Sequence, residues 1–187
     1  IVRQTCRPLA ALWLCLLVAL ACSTVRVTTD YDPAQDFAGY RGYAWMTDGP
    51  GASGHPRLDS PMVHERVHKG IDRTLAAKGF VLADEQPDFV VNYDLVAERR
   101  LDVRTTDDVY YGRYGYRVAV PETTVSEYEE GSLIIDVADA RTKKVVWRGI
   151  GSGRLRNASG TQDPAELQER VFKVVDEVLA DFPPKRK

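Results

Sequence analysis

The chain has 187 residues, of which 44% are hydrophobic and 28% charged, and its formal net charge is −2. This composition is that of a globular protein with enough chain for one domain and a hydrophobic core. The ordinary glycine and proline contents exclude collagen-like and wholly disordered chains. The 27 Asp and Glu against 25 Lys and Arg exclude a polybasic nucleic-acid binder, so we expect no nucleic-acid partner.

The first 21 residues have the pattern of a signal peptide. Arg3 and Arg7 make its start positive, and residues 9–21 form an uncharged apolar run too short to span a bilayer as a helix. The run ends in a small residue followed by Cys22, which is typical of a bacterial lipoprotein signal. We therefore predict acylation of Cys22, for example with palmitate, and a short membrane tether over residues 22–24.

The alternative is an ordinary secretory signal in which Cys22 has no role. Cysteine usage favours lipidation, because Cys6 and Cys15 lie within the signal and Cys22 would be the lone thiol of an exported chain. Removing residues 1–21 leaves a net charge of −4, so attachment to a membrane would depend on the lipid. Ser23, rather than an acidic residue, follows the cysteine and favours the outer membrane, with the domain facing the periplasm.

Residues 25–184 are predicted to form a single domain that begins with two short strands and a helix. Residues 25–29 alternate as a half-buried strand, and the aromatic-rich segment 42–46 predicts a second strand. Ser60 and Pro61 predict a helix start, and Lys78-Gly79 its end. One face of this helix is apolar, through Val63, Val67, Ile71 and Leu75.

The second half of the domain reads as a run of strands followed by a helix. Strict alternation predicts a strand over residues 89–98, and residues 107–117 resemble the tip of a long hairpin or a loop. We predict two further strands, separated by a solvated Glu129-Glu130 turn, then a turn at Asp139 and a return strand. Asp163-Pro164 predicts the start of a last helix, which ends before Pro183, and residues 185–187 form a basic tail. The predicted strand ranges after the hairpin are 123–128, 133–137 and 145–156.

This order predicts an α+β fold: a two-layer sandwich with a largely antiparallel sheet of five to six strands and two helices packed on one face. Trp147 alternates inward, Gly149 would allow close packing or a β-bulge, and Asp139 favours a turn.

Four motifs of the chain occur together: Cys22, the aromatic opening from Tyr31-Asp32 to Tyr43-Ala44-Trp45, the helix end from Leu75 to Phe80, and the stretch from Glu130 to Gly149. Together they resemble the bacterial lipoprotein family called domain of unknown function 4136. The resemblance covers roughly Val25 to Pro184. It implies an α+β envelope lipoprotein of Gram-negative bacteria, and it carries over no catalytic residue or cofactor.

One motif in the chain is typical of catalysis. His64-Glu65-Arg66-Val67-His68 matches the H-E-x-x-H pattern, in which two histidines on one helix face bind Zn²⁺ and the glutamate is the general base. A catalytic zinc needs a third protein ligand, and the remaining histidine, His55, lies in the preceding loop. A periplasmic zinc-dependent hydrolase is therefore the alternative function, and an amphipathic helix flanked by histidines is the simpler interpretation.

A second candidate is the tyrosine cluster Tyr110, Tyr111, Tyr114 and Tyr116, interleaved with glycines. Rigid rings in such a segment make an adaptable contact surface for an envelope protein or a glycan, whereas in the alternative the rings pack on one another. The sequence thus favours a non-enzymatic envelope lipoprotein that acts as a binding or structural module without a cofactor.

Overall fold

A computed structural model of the chain describes residues 25–46, 51–83, 85–111, 117–155 and 163–185, without the side chains of 107–111 and 117–120. The elements are the strands β1 (Arg26–Tyr31) and β2 (Gly42–Trp45), helix α1 (Pro61–Ala77), strands β3 (Val81–Leu82), β4 (Phe89–Tyr111), β5 (Arg117–Asp139) and β6 (Val145–Arg154), helix α2 (Pro164–Val178), and a 3₁₀ turn (Leu179–Asp181).

The strands form one six-stranded sheet in the order β1-β6-β5-β4-β2-β3. The pairs β1–β6, β6–β5 and β5–β4 are antiparallel, whereas β2 runs parallel to both β4 and β3. The predicted α+β fold with a largely antiparallel sheet and two helices is confirmed. The parallel pairs follow from α1, which carries the chain from β2 over the sheet and back to β3.

The core lies between one face of the sheet and the two helices. Alternate residues of β4 and β5 point into it, because side chains along a strand alternate between faces. They meet the apolar stripe of α1 and two valines of α2. These core residues are Phe89, Val91, Tyr93 and Leu95 of β4; Leu133, Ile135 and Val137 of β5; Val67, Ile71 and Leu75 of α1; and Val175 and Val178 of α2.

Helix α2 packs closely on strand β6 of the sheet. Trp147 is 1% exposed, as its predicted inward orientation requires. A Cβ atom built on Gly149 would contact the Trp147 ring and lie 2.8 Å from Val178 Cγ1. The predicted role of Gly149 in close packing is therefore confirmed, since any side chain at this position would meet the core.

Both helices begin where the sequence predicts. Asp163 caps α2, because its carboxylate accepts a hydrogen bond from the Ala165 backbone N–H at 2.9 Å. Ser60 precedes α1 in an extended conformation but makes no side-chain cap bond. Gly79 ends the α1 segment with a φ of +90°, a conformation that glycine adopts without strain.

The prediction of two separate strands around a Glu129-Glu130 turn is wrong. Strand β5 runs without interruption from Arg117 to Asp139, paired with β4 along its whole length. Glu130 is buried at 8% exposure, and its carboxylate accepts a hydrogen bond from Arg100 at 3.2 Å. Adjacent acids favour a solvated turn, but here the arginine of the neighbouring strand stabilises the Glu130 charge within the sheet.

Candidate functional site

The His64 and His68 side chains of α1 lie beside strands β2 and β4, and each has a partner there. The His64 Nδ1 atom is hydrogen bonded to the Tyr93 hydroxyl at 3.0 Å. The His68 Nδ1 atom lies 3.1 Å from a carboxylate oxygen of Asp72, and the His68 ring stacks on the Trp45 indole with centroids 3.8 Å apart. Both histidines thus belong to contacts between the helix and the sheet.

Asp72 is the centre of this contact. Its Oδ1 atom accepts hydrogen bonds from the Tyr43 hydroxyl at 2.7 Å and from the Trp45 indole N–H at 3.1 Å. Burial, followed by the Asp72 carboxylate, raises the pKa of Tyr43 well above its usual range, so the phenol stays a donor. Burial also raises the pKa of Tyr93 to about 12. We call residues Tyr43, Trp45, His68 and Asp72 the Asp72 cluster; it links α1 to β2.

The geometry offers no support for a zinc site on this helix. Within the described ranges, no group of three His, Cys, Asp or Glu side chains could hold a metal ion. Glu65, the expected general base, is exposed and bonded to Lys69 at 2.6 Å. Lys69 lowers the pKa of Glu65, whereas a general base works best when its pKa is near the operating pH.

The partners of the histidines were not predicted from the sequence, although a signal for some of them was present. Asp72 follows His68 by four residues and therefore shares its helix face. Trp45 and Tyr93 lie on two strands that the sequence predicts. Only the parallel pairing of β2 with β4 places these two rings together against α1.

Strands β4 and β5 continue far beyond their neighbours. The last residue of β6 that pairs with β5 is Arg154, opposite Glu130. Beyond that level Glu129 still accepts a hydrogen bond from the Leu155 N–H at 2.8 Å and lies 3.4 Å from His55. In the described part of the chain, β4 and β5 then pair only with each other, as far as Tyr111 opposite Arg117. We call residues 98–111 and 117–130 the arm. The predicted hairpin is present, and it is longer than the sequence indicated.

The two faces of the arm differ in chemistry. One face exposes Leu101, Val103 and Val125 at 63%, 59% and 57%. The same face also carries Arg99 opposite Glu129, and Glu127 opposite Leu101. Val103 pairs directly with Val125, and Thr105 with Thr123 further out. The three aliphatic side chains therefore form one patch on this face.

The opposite face, the charged face, carries a row of ion pairs. Arg100 bonds to Glu98 at 2.7 Å and to Glu130 at 3.2 Å, while Asp102 pairs with Arg104 at 3.1 Å and with Arg154 at 3.2 Å. Arg104, with Arg154, lowers the pKa of Asp102. At the base of this face lies a pocket of about 370 Å³, lined by Val25, Arg26, Tyr128, Glu130, Ser152, Gly153 and Arg154.

The predicted binding residues lie mostly outside the described part. Tyr110 and Tyr111 occupy the outer end of β4, and nothing is described of their side chains; Tyr114 and Tyr116 lie outside the described residues, as does Cys22. In the described part, no helix is long and apolar enough to cross a membrane.

The start of β1 lies at the same end of the sheet as the base of the arm. Arg26 pairs with Ser152, Ser152 with Ser132, and Ser132 with Val96. Strand β1 therefore begins two residues below the start of the arm.

A family model described as "Domain of unknown function (DUF4136)" matches residues 27–184. No curated protein matches the chain. Among solved structures, the chain is similar to a PDZ domain protein from Parabacteroides distasonis ATCC 8503, with 14% identity and a TM-score of 0.49, over 88% of this chain and 36% of that chain. The chain thus spans little more than a third of that protein.

Two further solved structures are similar. One is the PelC dodecamer from Paraburkholderia phytofirmans, with 14% identity and a TM-score of 0.46, over 83% of this chain and 95% of that chain. The other is a minor lipoprotein from Acinetobacter baumannii, with 8% identity and a TM-score of 0.36, over 76% of this chain and 91% of that chain. At these identities the likenesses carry no information about activity.

Proposed function

The chain belongs to the DUF4136 family, and from this premise we propose that it is a lipoprotein of the bacterial cell envelope, anchored through acylated Cys22. The observation that carries the proposal is the apolar run over residues 9–21, which ends in a small residue and Cys22. Ser23 after the cysteine favours the outer membrane and a domain in the periplasm.

The domain acts in this proposal as a non-enzymatic binding or structural module. The histidines of the H-E-x-x-H motif are engaged with Tyr93 and with the Asp72 cluster, and no metal-binding group is present in the described residues. The extended arm, with Tyr110, Tyr111, Tyr114 and Tyr116 toward its tip, is the segment we assign to contact an envelope protein or a glycan.

Mass spectrometry of the protein extracted from membranes tests the anchor. We expect the N-terminal peptide to begin at Cys22 and to carry a diacylglyceryl group, and we expect Cys22→Ser to release the protein into the soluble periplasmic fraction. An unmodified Cys22 peptide would contradict the proposal. Sucrose-gradient fractionation then separates inner from outer membrane, and recovery with the inner membrane would contradict the outer-membrane assignment.

A separate experiment tests the arm as the binding segment. The four tyrosines are replaced by serine, with Tyr31→Ser as a control, because Tyr31 is an exposed tyrosine on β1. Crosslinking in intact cells should lose its adducts in the four-tyrosine variant and keep them in the control. Equal adducts in both variants would show that the tyrosines do not bind the partner.

A further inference from the structure

We propose that strand β1 pairs in antiparallel orientation with β1 of a second copy of this chain, so that two six-stranded sheets join edge to edge. Thr28 of one copy lies opposite Thr28 of the other, on the two-fold axis. The inference goes beyond the proposed function, because it gives the edge of the sheet a partner. It does not depend on acylation of Cys22.

Strand β1 is the outermost strand on one side of the sheet, next to β6. The Asp32 N–H bonds to the Val146 C=O at 2.9 Å, so the even-numbered residues of β1 direct their backbone groups toward β6. The backbone groups of Val27 and Thr29 therefore point away from the sheet, where no strand of the described chain pairs with them. An edge of this kind is a template for another strand.

Arg26 and Asp30 make β1 complementary to itself. With Thr28 on the two-fold axis, Arg26 of each copy lies directly opposite Asp30 of the other. These three residues are exposed, and they share one face of the sheet because side chains along a strand alternate between faces. Opposite charges placed directly across two antiparallel strands stabilise the pairing.

Both charged side chains are placed to reach across the edge. The Asp30 Oδ1 atom accepts a hydrogen bond from the Tyr31 N–H at 2.9 Å. That N–H belongs to an odd-numbered residue and points away from the sheet, so the carboxylate lies at the outer edge. The Arg26 side chain is 78% exposed and lies 3.8 Å from Glu130, and its guanidinium keeps donors for a second carboxylate.

Other registers lose this complementarity. An axis one residue earlier would place Arg26 opposite Thr28, and an axis two residues later would bring the two Asp30 side chains together. An axis one residue later would pair Arg26 with Asp32, which lies beyond the end of β1. The match of β1 with itself therefore favours a second copy over an unrelated strand as the occupant of this edge.

The helices leave room for the pairing. Helix α2 packs on β6, where Cβ atoms built on Gly149 and Gly151 would lie 2.8 Å and 2.5 Å from Val178. In the joined sheet the two β6 strands are three strand spacings apart, or about 14 Å at roughly 4.8 Å each. Helices pack at distances of about 8–10 Å, so the two α2 helices do not collide.

The register brings the two Thr28 Cα atoms within reach of a disulfide. Val27 of one copy exchanges backbone hydrogen bonds with Thr29 of the other, and the Thr28 pair between them makes no such bonds across the axis. The Cα atoms of a pair of this type are about 4.5 Å apart, and disulfides join Cα atoms about 4.4–6.8 Å apart.

Disulfide trapping tests the pairing. Residues 24–187 contain every described residue and no cysteine, so Thr28→Cys introduces a single thiol. The matched control is Thr124→Cys, which replaces an exposed threonine of β5. With oxidised glutathione, we expect Thr28→Cys to form a disulfide-linked dimer several-fold faster than Thr124→Cys, with thermal melts confirming that both variants fold. Equal rates would overturn the proposal.

Charge reversal tests the register. Added to Thr28→Cys, Arg26→Asp places two aspartates opposite each other and Asp30→Arg places two arginines, so each variant alone should form the dimer more slowly. An equal mixture of the two restores opposite charges in the mixed dimer. Mass spectrometry should therefore find the mixed dimer well above its statistical half of the trapped product. The same two charge variants with the cysteine at Thr124 should give the statistical mixture.

A statistical mixture from the Thr28→Cys variants would refute the register. In cells that express the full chain with Thr28→Cys, a crosslink to a different protein in place of a second copy would also overturn the proposal. Because residues 24–187 lack Cys22, this test is separate from that of the anchor. An unmodified Cys22 would refute the proposed function and leave the pairing of β1 intact, whereas equal trapping rates would refute only the pairing.

Discussion

Replacement of Gly149 by alanine tests how closely α2 packs on the sheet. Gly149 is buried on β6 between β1 and β5, where it pairs with Thr29 and Ile135. The added methyl group would contact the Trp147 ring and lie 2.8 Å from Val178 Cγ1. Trp147 and Val178 are 1% and 0% exposed, so neither side chain can move into open space.

Overpacking of this kind costs about 1–3 kcal/mol of folding free energy. For a domain of this size, each kcal/mol lowers the melting temperature by about 2–4 °C, so we expect a decrease of about 2–12 °C. The matched control is Gly39→Ala, because nothing lies within 4 Å of a Cβ atom built on Gly39. There we expect unchanged stability, or a gain of up to about 1 kcal/mol from the less flexible unfolded chain.

Urea unfolding followed by far-ultraviolet circular dichroism measures the difference. Gly149→Ala should lower the midpoint without changing the slope, since the surface exposed on unfolding stays the same. A midpoint for Gly149→Ala equal to or above that of Gly39→Ala would refute the packing described for β6 and α2.

Two further predictions concern acid stability and metal. Asp88 accepts hydrogen bonds from the Gly42 N–H at 2.9 Å and the Arg41 N–H at 2.8 Å, which lower its pKa. The two hydrogen bonds stabilise the fold fully when the pH is above the pKa of the Asp88 carboxyl in the unfolded chain, about 4. This stabilisation is lost as the pH falls through the lower pKa of the folded chain. The Asp88→Asn variant should therefore have a lower free energy of unfolding than the unsubstituted protein at pH 7, and it should lose less of that free energy between pH 5 and pH 3. A difference in unfolding free energy, measured by urea denaturation, that stays the same at every pH would contradict this. For residues 24–187 purified without chelators or a histidine tag, we expect no stoichiometric zinc by elemental analysis and no change in melting temperature with chelator. The His64→Ala variant should still have a free energy of unfolding lower by about 0.5–1.5 kcal/mol, because it lacks the hydrogen bond to Tyr93. Zinc bound at a 1:1 ratio by the unsubstituted protein and lost in His64→Ala would instead support the zinc hydrolase.

The turn predicted at Glu129-Glu130 is absent because distant residues determine the structure there. Local rules treat adjacent acids followed by Gly131 as a turn. In the fold, Arg100 from β4 reaches diagonally across to the Glu130 carboxylate, and the Leu155 side chain covers Gly131 on the opposite face of the sheet. Both partners come from distant parts of the chain, so no window of neighbouring residues contains them.

The H-E-x-x-H motif shows that a local sequence pattern is also insufficient to predict a functional site. Helical spacing correctly placed His64 and His68 on one side of α1, next to its apolar stripe. It could not show that β2 and β4 supply Trp45 and Tyr93 to those rings. Two histidines four residues apart are compatible with either a metal site or a helix–sheet contact, and only the neighbouring strands distinguish the two.

The sequence by itself determined the α+β class, the starts of both helices, and the inward orientation of Trp147, because capping, proline placement and the alternation of side chains act within a few residues. Tertiary structure decided the lengths of β4 and β5, the partners of the histidines, and the meeting of the β1 start with the base of the arm. These depend on which strands become neighbours. That choice is made by burial of the whole core, which brings together residues a hundred positions apart.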